Sequence, residues 1–214
     1  MTAIRRGPLT VITGPMGSGK SLALIRELEL LRIRGRTFTV VKPKDDSRDG
    51  ASVKSRMLVK PIEAVYIEEP ADLAKSLKGS SVLAIDETQF LPRAALAEII
   101  TLLNKGTAVI ACGLDTDVAG RPFGIMPELL AMADEATKIK AVCDQCKLLN
   151  ATRTQIIIEP RGTHEPQRAY EQRLRPLRDF LDGKTNALIG NIGMYQPRCP
   201  QHHSLPDLPP PSDH

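Results

Sequence analysis

The sequence contains no tryptophan, and Phe and Tyr bring its aromatic content to only 3% of 214 residues. Proteins that bind single-stranded nucleic acid commonly stack the bases on aromatic side chains. The balance of 29 Lys and Arg residues against 25 Asp and Glu residues is only mildly basic and does not demand a nucleic-acid partner. We therefore do not expect nucleic acid to be a partner, although the mild positive charge suits a protein that handles anionic ligands.

Long apolar runs are also missing. No segment approaches the roughly 18 residues that a membrane-spanning helix needs. The segment Met1 to Pro8 carries Arg5 and Arg6 but leads into an apolar run far too short for a secretion signal. These features lead us to expect a cytoplasmic protein that does not insert into a membrane.

Cysteine is scarce as well, with four residues in the chain. In a protein without a secretion signal, so few cysteines argue against a framework of disulfides. We expect reduced thiols that are available for metal binding or for packing. Cys112, inside the apolar run TAVIACGL, is expected to be a buried strand residue.

What the chain does contain is an alternation of short apolar runs with longer amphipathic ones. The apolar runs include PLTVIT, TFTVV, SVLAI and TAVIACGL, and the amphipathic ones include SLALIRELELLRIR and RAALAEIITLLNK. Short, wholly apolar runs between helical patterns are typical of a parallel sheet covered by helices on both faces. The sequence therefore predicts an α/β fold, with a first helix that begins near Ser21 and stops at Gly35.

The texture of the sequence changes after about Lys138, where cysteines, prolines and arginines replace the alternating pattern. We predict three regions: an α/β nucleotide-binding domain over 1–138, a small lobe over 139–204, and a disordered tail over 205–214 whose proline and charge content favours disorder. The lobe is expected to be held together by something other than a large core.

A phosphate-binding loop is predicted between the first strand and the first helix. Residues 14–21 read GPMGSGKS, which satisfies the P-loop pattern G-x-x-x-x-G-K-[ST]. In that pattern the backbone N–H groups surround phosphate oxygens, Lys20 reaches the β and γ phosphates, and the hydroxyl of Ser21 binds Mg²⁺. The predicted ATP site thus comprises Gly14, Pro15, Met16, Gly17, Ser18, Gly19, Lys20 and Ser21. The alternative is a glycine-rich turn before a helix.

Two adjacent carboxylates, Asp86 and Glu87, follow the apolar run SVLAI. A P-loop enzyme needs a carboxylate on the metal side at the end of a neighbouring strand, and Asp86 is the candidate. If the strand continues through Glu87, alternation places the two side chains on opposite faces and they must have different tasks. Glu87 then either accepts a proton from an attacking hydroxyl or forms a structural ion pair.

A zinc site is predicted in the lobe, because the sequence contains two short pairs of metal ligands. Cys143 and Cys146 form C-x2-C, while Cys199 and His202 form C-x2-H. Together they make a tetrahedral site of three cysteines and one histidine, which has no open position and so serves folding. His203 is an alternative to His202 as the fourth ligand.

Taken together, several segments resemble the thymidine kinases of the cellular, zinc-containing type. The resemblance runs from about Val11 to His202 and is carried by GPMGSGKS, KPKDDSR with Ser55 and Arg56, DETQF, GLDTDVAGRPFG, VCDQC, ATRTQ and IGNIGMYQPRCPQH. It implies a RecA-like α/β domain with a small zinc lobe, transfer of the ATP γ-phosphate to the 5′-hydroxyl of thymidine, and commonly a homotetramer.

The same resemblance implies roles for single residues near the phosphates. Glu87 matches the family's catalytic glutamate, which takes the proton of the 5′-hydroxyl, and Asp86 then falls on the metal side. Asp46 and Arg48 match positions that the family uses near the phosphates and Mg²⁺. A guanidinium there would neutralise charge on the transferring group.

For the nucleoside, the resemblance implies that Met16 faces the thymine methyl group and that Phe90 and Phe123 flank the base. Gly190 and Tyr195 match the lasso, a loop that closes over the nucleoside. Phe90, Phe123 and Tyr195 each have an alternative as ordinary core residues.

The sequence also departs from the family. Cys146 and Cys199 are separated by 52 residues, which is longer than expected. The excess contains Tyr170, Leu174, Leu177 and Leu181 on one face of a predicted amphipathic helix, which Pro176 should break or restart. Its arginines leave open a subunit contact or an anion-binding patch.

The sequence therefore predicts an ATP- and Mg²⁺-dependent thymidine kinase with structural zinc. The alternative is a P-loop ATPase whose zinc lobe binds nucleic acid or a protein partner, with Glu87 activating water. Gln89, within DETQF, has no role that the sequence assigns beyond a possible hydrogen bond.

Overall fold

The computed structural model describes residues 5–44, 52–53, 62–184, 194–205 and 208. Six strands form one parallel sheet in the order β5-β2-β6-β7-β1-β8. These strands are β1 Leu9–Thr13, β2 Phe38–Pro43, β5 Val65–Ile67, β6 Val82–Ile85, β7 Ala108–Gly113 and β8 Glu135–Lys138. The prediction of an α/β fold with a parallel sheet is confirmed.

Helices cover both faces of this sheet, as the wholly apolar strands require. They are α1 Lys20–Ile33, α2 Asp72–Ser76, α3 Ala95–Asn104 and α4 Met126–Met132. The first helix begins one residue before the predicted start, and Gly35, at φ 66°, follows its end as predicted.

Side chains alternate between two cores along each central strand. On β6, Leu83 and Ile85 pack in the core formed with α2, α3 and α4, whereas Val82 and Ala84 pack in the core formed with α1. Cys112 lies in the α1 core with none of its surface exposed, as predicted for a buried strand residue. Because both faces are buried, the loops at the carboxyl ends of the strands are left to form a site.

The residues beyond β8 form a small lobe around an antiparallel pair of strands, β9 Arg153–Ile157 and β10 Met194–Arg198. Its apolar clusters are small. One contains Ile156, Leu177 and Phe180 together with Val118 from the segment after β7, and the other consists of Ala141, Ala151 and two cysteines. A second, shorter antiparallel pair joins β3 Ser52–Val53 to β4 Ile62–Glu63.

A fifth helix, α5 Gln167–Leu181, crosses the lobe without interruption. The prediction that Pro176 breaks or restarts this helix is wrong. Pro176 is exposed on the outer side, so its ring costs the helix one backbone hydrogen bond without disturbing the packed side. Burial of Leu174, Leu177 and Phe180 on the opposite side holds the helix on both sides of the proline.

The described part of the chain contains no helix that is both long and apolar enough to span a membrane. The predicted tail over 205–214 lies outside the described residues, except for Leu205 and Leu208.

Candidate active site

The loop between β1 and α1 has the backbone form that a phosphate site needs. Gly14 has φ 149°, and a Cβ at this position would lie 2.3 Å from the carbonyl oxygen of Ile139. Gly19, with φ 89°, is the N-cap of α1, whose first turn contains no acidic residue. The N-terminus of α1 therefore offers backbone N–H groups and a positive dipole end to an anion.

Polar side chains of this loop also suit a phosphate ligand. The hydroxyl oxygen of Ser18 is buried and, among the described residues, has no hydrogen-bond partner. Lys20 donates a 2.9 Å hydrogen bond from Nζ to the carbonyl oxygen of Pro15, which holds its ammonium group against the loop. A buried hydroxyl without a partner is uncommon in proteins, and a phosphate oxygen is a group that would satisfy it.

The two adjacent carboxylates lie at the carboxyl end of β6, but the strand does not continue through both of them. β6 ends at Ile85, and Glu87 has φ 52° and ψ 40° in the left-handed region. Alternation along a strand is therefore not the reason why Asp86 and Glu87 are separated, and that part of the hypothesis is wrong. A left-handed residue before the short 3-10 turn Thr88–Phe90 sets the direction of Glu87 instead.

The partners of the two carboxylates differ. Asp86 is buried, and its Oδ2 lies 4.0 Å from Nζ of Lys42, which is 1% exposed on β2. Glu87 is half-buried and accepts a hydrogen bond from the side-chain amide of Gln89. The two acids thus occupy different surroundings, as their proposed division of tasks requires.

Gln89 is a site residue to which the sequence assigned no role. Its amide nitrogen donates to Glu87 Oε2, and its amide oxygen accepts a 3.0 Å hydrogen bond from the N–H of Leu114. Glycines make room for it, because a Cβ at Gly113 would lie 2.3 Å from its amide oxygen and one at Gly124 would lie 2.2 Å from its carbonyl oxygen. Gln89 is 2% exposed and links Glu87 to the end of β7.

An apolar, partly open cavity lies next to the short turn that follows Glu87, because Phe90 of that turn lines it. It is lined by Met16, Phe90, Leu114, Asp117, Val118, Phe123, Thr154, Phe180 and Tyr195. The structure therefore brings together four residues that the family resemblance placed around a nucleoside, namely Met16, Phe90, Phe123 and Tyr195. The rings of Phe90 and Phe123 meet edge to face, with centroids 5.5 Å apart, which is a favourable aromatic arrangement.

Five residues of the cavity were not predicted as site residues from the sequence, and two of them come from distant segments. Thr154, on β9, accepts a 2.9 Å hydrogen bond at Oγ1 from the backbone N–H of Met16, so that the lobe is tied to the phosphate loop. Phe180 comes from the last turn of α5. The motif ATRTQ contains Thr154, and the amphipathic pattern of α5 contains Phe180. Neither pattern indicates which distant residues these side chains contact.

Three cysteines and one histidine of the lobe form a cluster that could hold a metal ion. The ligand atoms of Cys143, Cys146, Cys199 and His202 all lie within 4.8 Å of one another. Nδ1 of His202 is 3.2 Å from Sγ of Cys199 and 3.8 Å from Sγ of Cys143. Three thiols and one imidazole at these separations fit a tetrahedral zinc ion.

The electrostatics of the cluster favour a thiolate at Cys143, whereas burial raises the pKa of Cys199. Burial raises the pKa of Cys143, but N–H groups of Cys146, Cys199 and Gln145 and the ring of His202 outweigh that effect and lower it to about 5. A thiolate is the form of cysteine that binds metal. Burial, in contrast, raises the pKa of Cys112, which favours the neutral thiol of a packing residue.

His203 faces away from the cluster. Its Nε2 lies 3.0 Å from the carbonyl oxygen of Val118, whereas the backbone N–H of His202 donates to the carbonyl oxygen of Cys199. This turn brings the ring of His202 over the cysteines. Of the two candidates left open by the sequence, His202 is the one in the cluster.

Some predicted site residues lie outside the described residues. They are Asp46, Arg48 and Gly190, together with Ser55 and Arg56 of the family motifs.

Comparison with known proteins gives a consistent result. A family model described as thymidine kinase matches residues 7–203. The thymidine kinase of Coprothermobacter proteolyticus is 38% identical over 201 residues, which cover 94% of this chain and 92% of that protein. Those of Mycoplasma mobile and Deinococcus deserti are 38% and 34% identical, covering 92% of this chain in each case and 87% and 94% of the relatives. The chain belongs to the thymidine kinase family.

Proposed function

We propose that this protein transfers the γ-phosphate of ATP to the 5′-hydroxyl of thymidine. The observation that carries the proposal is the double position of Met16, which belongs to the phosphate loop and also lines the apolar cavity. A nucleoside in the cavity therefore lies beside the phosphates held by the loop. Phosphoryl transfer depends chiefly on such positioning of donor and acceptor.

On the phosphate side, the backbone of 14–19 and the ammonium group of Lys20 bind the β and γ phosphates of ATP. Ser21 and Asp86 are the residues that would hold Mg²⁺, which would supply positive charge to neutralise the phosphates. The buried ammonium group of Lys42, close to Asp86, balances the charge of that carboxylate within the protein. Asp46 and Arg48 are proposed to act near the same phosphates.

On the acceptor side, Glu87 takes the proton of the 5′-hydroxyl as general base. The hydrogen bond from Gln89 fixes the direction of its carboxylate. Met16, Phe90 and Phe123 provide an apolar surface for a pyrimidine and its methyl group. Tyr195 and Gly190 are proposed to belong to the segment that closes over the nucleoside.

The cluster of Cys143, Cys146, Cys199 and His202 is proposed to hold a structural zinc ion. Because its four ligands fill a tetrahedron, the site has no position for a substrate. We further propose that the α/β domain spans 1–138 and the zinc lobe 139–204. A cytoplasmic homotetramer, as in the resembling family, completes the proposal; light scattering after size exclusion tests the assembly.

The reaction is tested by incubating the purified protein with ATP, Mg²⁺ and a panel of labelled deoxynucleosides. We expect thymidine to be phosphorylated in preference to the other nucleosides. Glu87→Gln should retain ATP binding and lose about 10²- to 10⁴-fold in kcat, the contribution typical of a general base. If the turnover of that variant equals the turnover of the wild type, Glu87 is not the general base.

The same assay distinguishes the alternative function. A P-loop ATPase that acts with nucleic acid would hydrolyse ATP faster when DNA or RNA is added and would phosphorylate no nucleoside. That result would replace the proposed kinase activity.

A further inference from the structure

We propose that Phe180 is a specificity-determining residue of the nucleoside cavity, and that helix α5 forms one wall of the acceptor site. The inference rests on the proposed function, because it concerns which nucleosides this cavity accepts. Phe180 lies in the last turn of α5 and is 1% exposed. Phe180 lines the cavity together with Met16, Phe90 and Phe123.

The ring of Phe180 is held in a defined position by the loop that also carries Phe123. The guanidinium carbon of Arg121 lies 4.6 Å from the centroid of the Phe180 ring, which is a cation–π contact. Nε of Arg121 donates a 3.0 Å hydrogen bond to Oδ2 of Asp117, another residue of the cavity. Asp117 in turn accepts a 2.8 Å hydrogen bond from the N–H of Ala119, so the arginine is anchored to a closed turn.

The helix itself is anchored separately. Leu174 and Leu177 are completely buried, and Leu177 packs with Val118 and Ile156. Leu174 and Leu177 themselves do not line the cavity, although Val118, which packs with Leu177, does. Phe180 is therefore the one residue of the apolar side of α5 that both packs in the lobe and borders the cavity, among the residues that the structure describes.

The wall comes from the segment in which this sequence departs from the family. The 52 residues between Cys146 and Cys199 are more than the resemblance leads one to expect, and α5 lies within them.

The chemistry of the wall indicates a substrate class. A flat aromatic ring in an apolar cavity packs well against a planar base, in an offset or edge-to-face arrangement. The bulk of the ring also limits the space for substituents on that base. We infer that Phe180 limits the size of the base substituents that the cavity accepts.

Kinetics with Phe180→Ala test the inference. We expect the KM for thymidine to rise about tenfold while kcat changes less than about threefold, because the contact is present in both the bound and the transition state. The ratio of kcat/KM for a 5-propyl-deoxyuridine to that for thymidine should rise about tenfold as the wall recedes.

Leu174→Ala is the matched control, since it also truncates a buried residue of α5 but one that does not line the cavity. We expect its KM to stay within about twofold of the wild type. An equal rise of KM in both variants would mean that docking of the helix is responsible, and would overturn the assignment of Phe180.

Fluorescence gives a second measurement that needs no turnover. Because the chain has no tryptophan, Phe180→Trp introduces a single tryptophan, which can be excited selectively, at the proposed wall. We expect thymidine to change its emission with a saturation midpoint near the KM. Tyr170→Trp, about 15 Å away along the same helix by its rise per residue, should not respond.

The outcomes separate the two proposals. If the wild type phosphorylates thymidine but Phe180→Ala keeps its KM and Phe180→Trp does not respond, Phe180 is not part of the site and the kinase function stands. If thymidine changes the emission of Phe180→Trp but the wild type transfers no phosphate, the wall is supported and the proposed reaction fails. If the wild type transfers no phosphate and thymidine does not change the emission of Phe180→Trp, both proposals are wrong.

Discussion

The side-chain nitrogen of Gln89 donates a hydrogen bond to Glu87, while its side-chain oxygen accepts one from the N–H of Leu114. A single amide therefore connects the carboxylate to the end of β7. Gln89 is 2% exposed, and its bond to Leu114 is buried, so that water does not compete for that bond. This arrangement explains why a glutamine follows the two acids in DETQF.

Replacement of Gln89 should lower the rate more than the affinity. Gln89→Met removes both hydrogen bonds, and we expect kcat to fall about 10- to 100-fold because the carboxylate of Glu87 is no longer oriented for proton transfer. Loss of the acceptor for the buried N–H of Leu114 should also lower the free energy of unfolding by about 1 to 3 kcal/mol. Steady-state kinetics and urea unfolding measure the two effects.

Gln89→Glu is the matched variant, because it keeps an acceptor for Leu114 but cannot donate to Glu87 when ionised. If orientation of Glu87 is the important task, its kcat should fall as far as that of Gln89→Met. A kcat equal to the wild type would contradict that role.

Because the backbone of Glu87 is left-handed, we expect glycine at this position to favour stability while activity is lost. At φ 52°, a residue with a side chain is strained by about 1 kcal/mol relative to glycine. Glu87→Gly should therefore unfold about 1 kcal/mol less readily than Glu87→Ala, although both lack the carboxylate and should lose turnover. Lys78, at φ 42°, provides the control, since Lys78→Gly should gain stability over Lys78→Ala and keep full activity. Equal stability of the Gly and Ala variants at 87 would show that the backbone is not strained there.

The buried pair of Lys42 and Asp86 should be coupled in stability. Lys42→Met leaves a buried carboxylate without this cation, which we expect to cost about 3 kcal/mol of unfolding free energy. Asp86→Asn should also be destabilising. The double variant should lose less than the sum of the two single losses, as measured in a double-mutant cycle by urea unfolding. Additive losses would mean that the two groups do not interact across their 4.0 Å separation.

Replacement of Thr154 should weaken the binding of ATP, because this residue joins the lobe to the phosphate loop. Thr154→Val keeps the shape of the side chain but leaves the N–H of Met16 without its acceptor, so the phosphate loop loses a 2.9 Å hydrogen bond. We expect the KM values for ATP and for thymidine both to rise several-fold in Thr154→Val. Thr154→Ser retains the hydroxyl and should keep the KM for ATP near the wild-type value. A change confined to thymidine would show that Thr154 acts only as a wall of the cavity.

Removal of zinc should affect more than the lobe. We expect one zinc ion per chain in the wild type, little zinc in Cys146→Ser, and a lower melting temperature in that variant, because structural zinc sites supply folding energy. Elemental analysis and thermal unfolding measure these quantities. Cys112→Ser, which changes a thiol outside the cluster, should retain zinc. A folded wild type without metal would contradict the site.

Sequence reasoning located the elements whose signal is local. Apolar runs such as SVLAI form strands, and GPMGSGKS follows β1 and leads into the first residues of α1, as predicted. The ligand pairs of the cluster were also predictable, since two residues between ligands is a spacing set by local geometry. Gly35 marked the end of α1 because its left-handed conformation is a local property.

The features that sequence reasoning missed depend on distant contacts or on a competition between local rules. Phe180 reaches the cavity only because α5 docks on the lobe, and Gln89 meets Leu114 across 25 residues. Pro176 predicted a break, but burial of the neighbouring leucines outweighs the loss of one hydrogen bond. To choose between His202 and His203 as the fourth ligand, one has to know how a single turn of the backbone orients the two rings.

The hydrogen bond from Met16 to Thr154 joins residues 138 positions apart. During synthesis on the ribosome, the phosphate loop emerges early, whereas its partner on β9 and the last two ligands of the cluster emerge much later. Contacts of such long sequence separation form late in folding. A nascent chain that has completed β1 to β7 thus has the residues for ATP but not the fixed loop, so ATP-binding competence should arise together with the lobe.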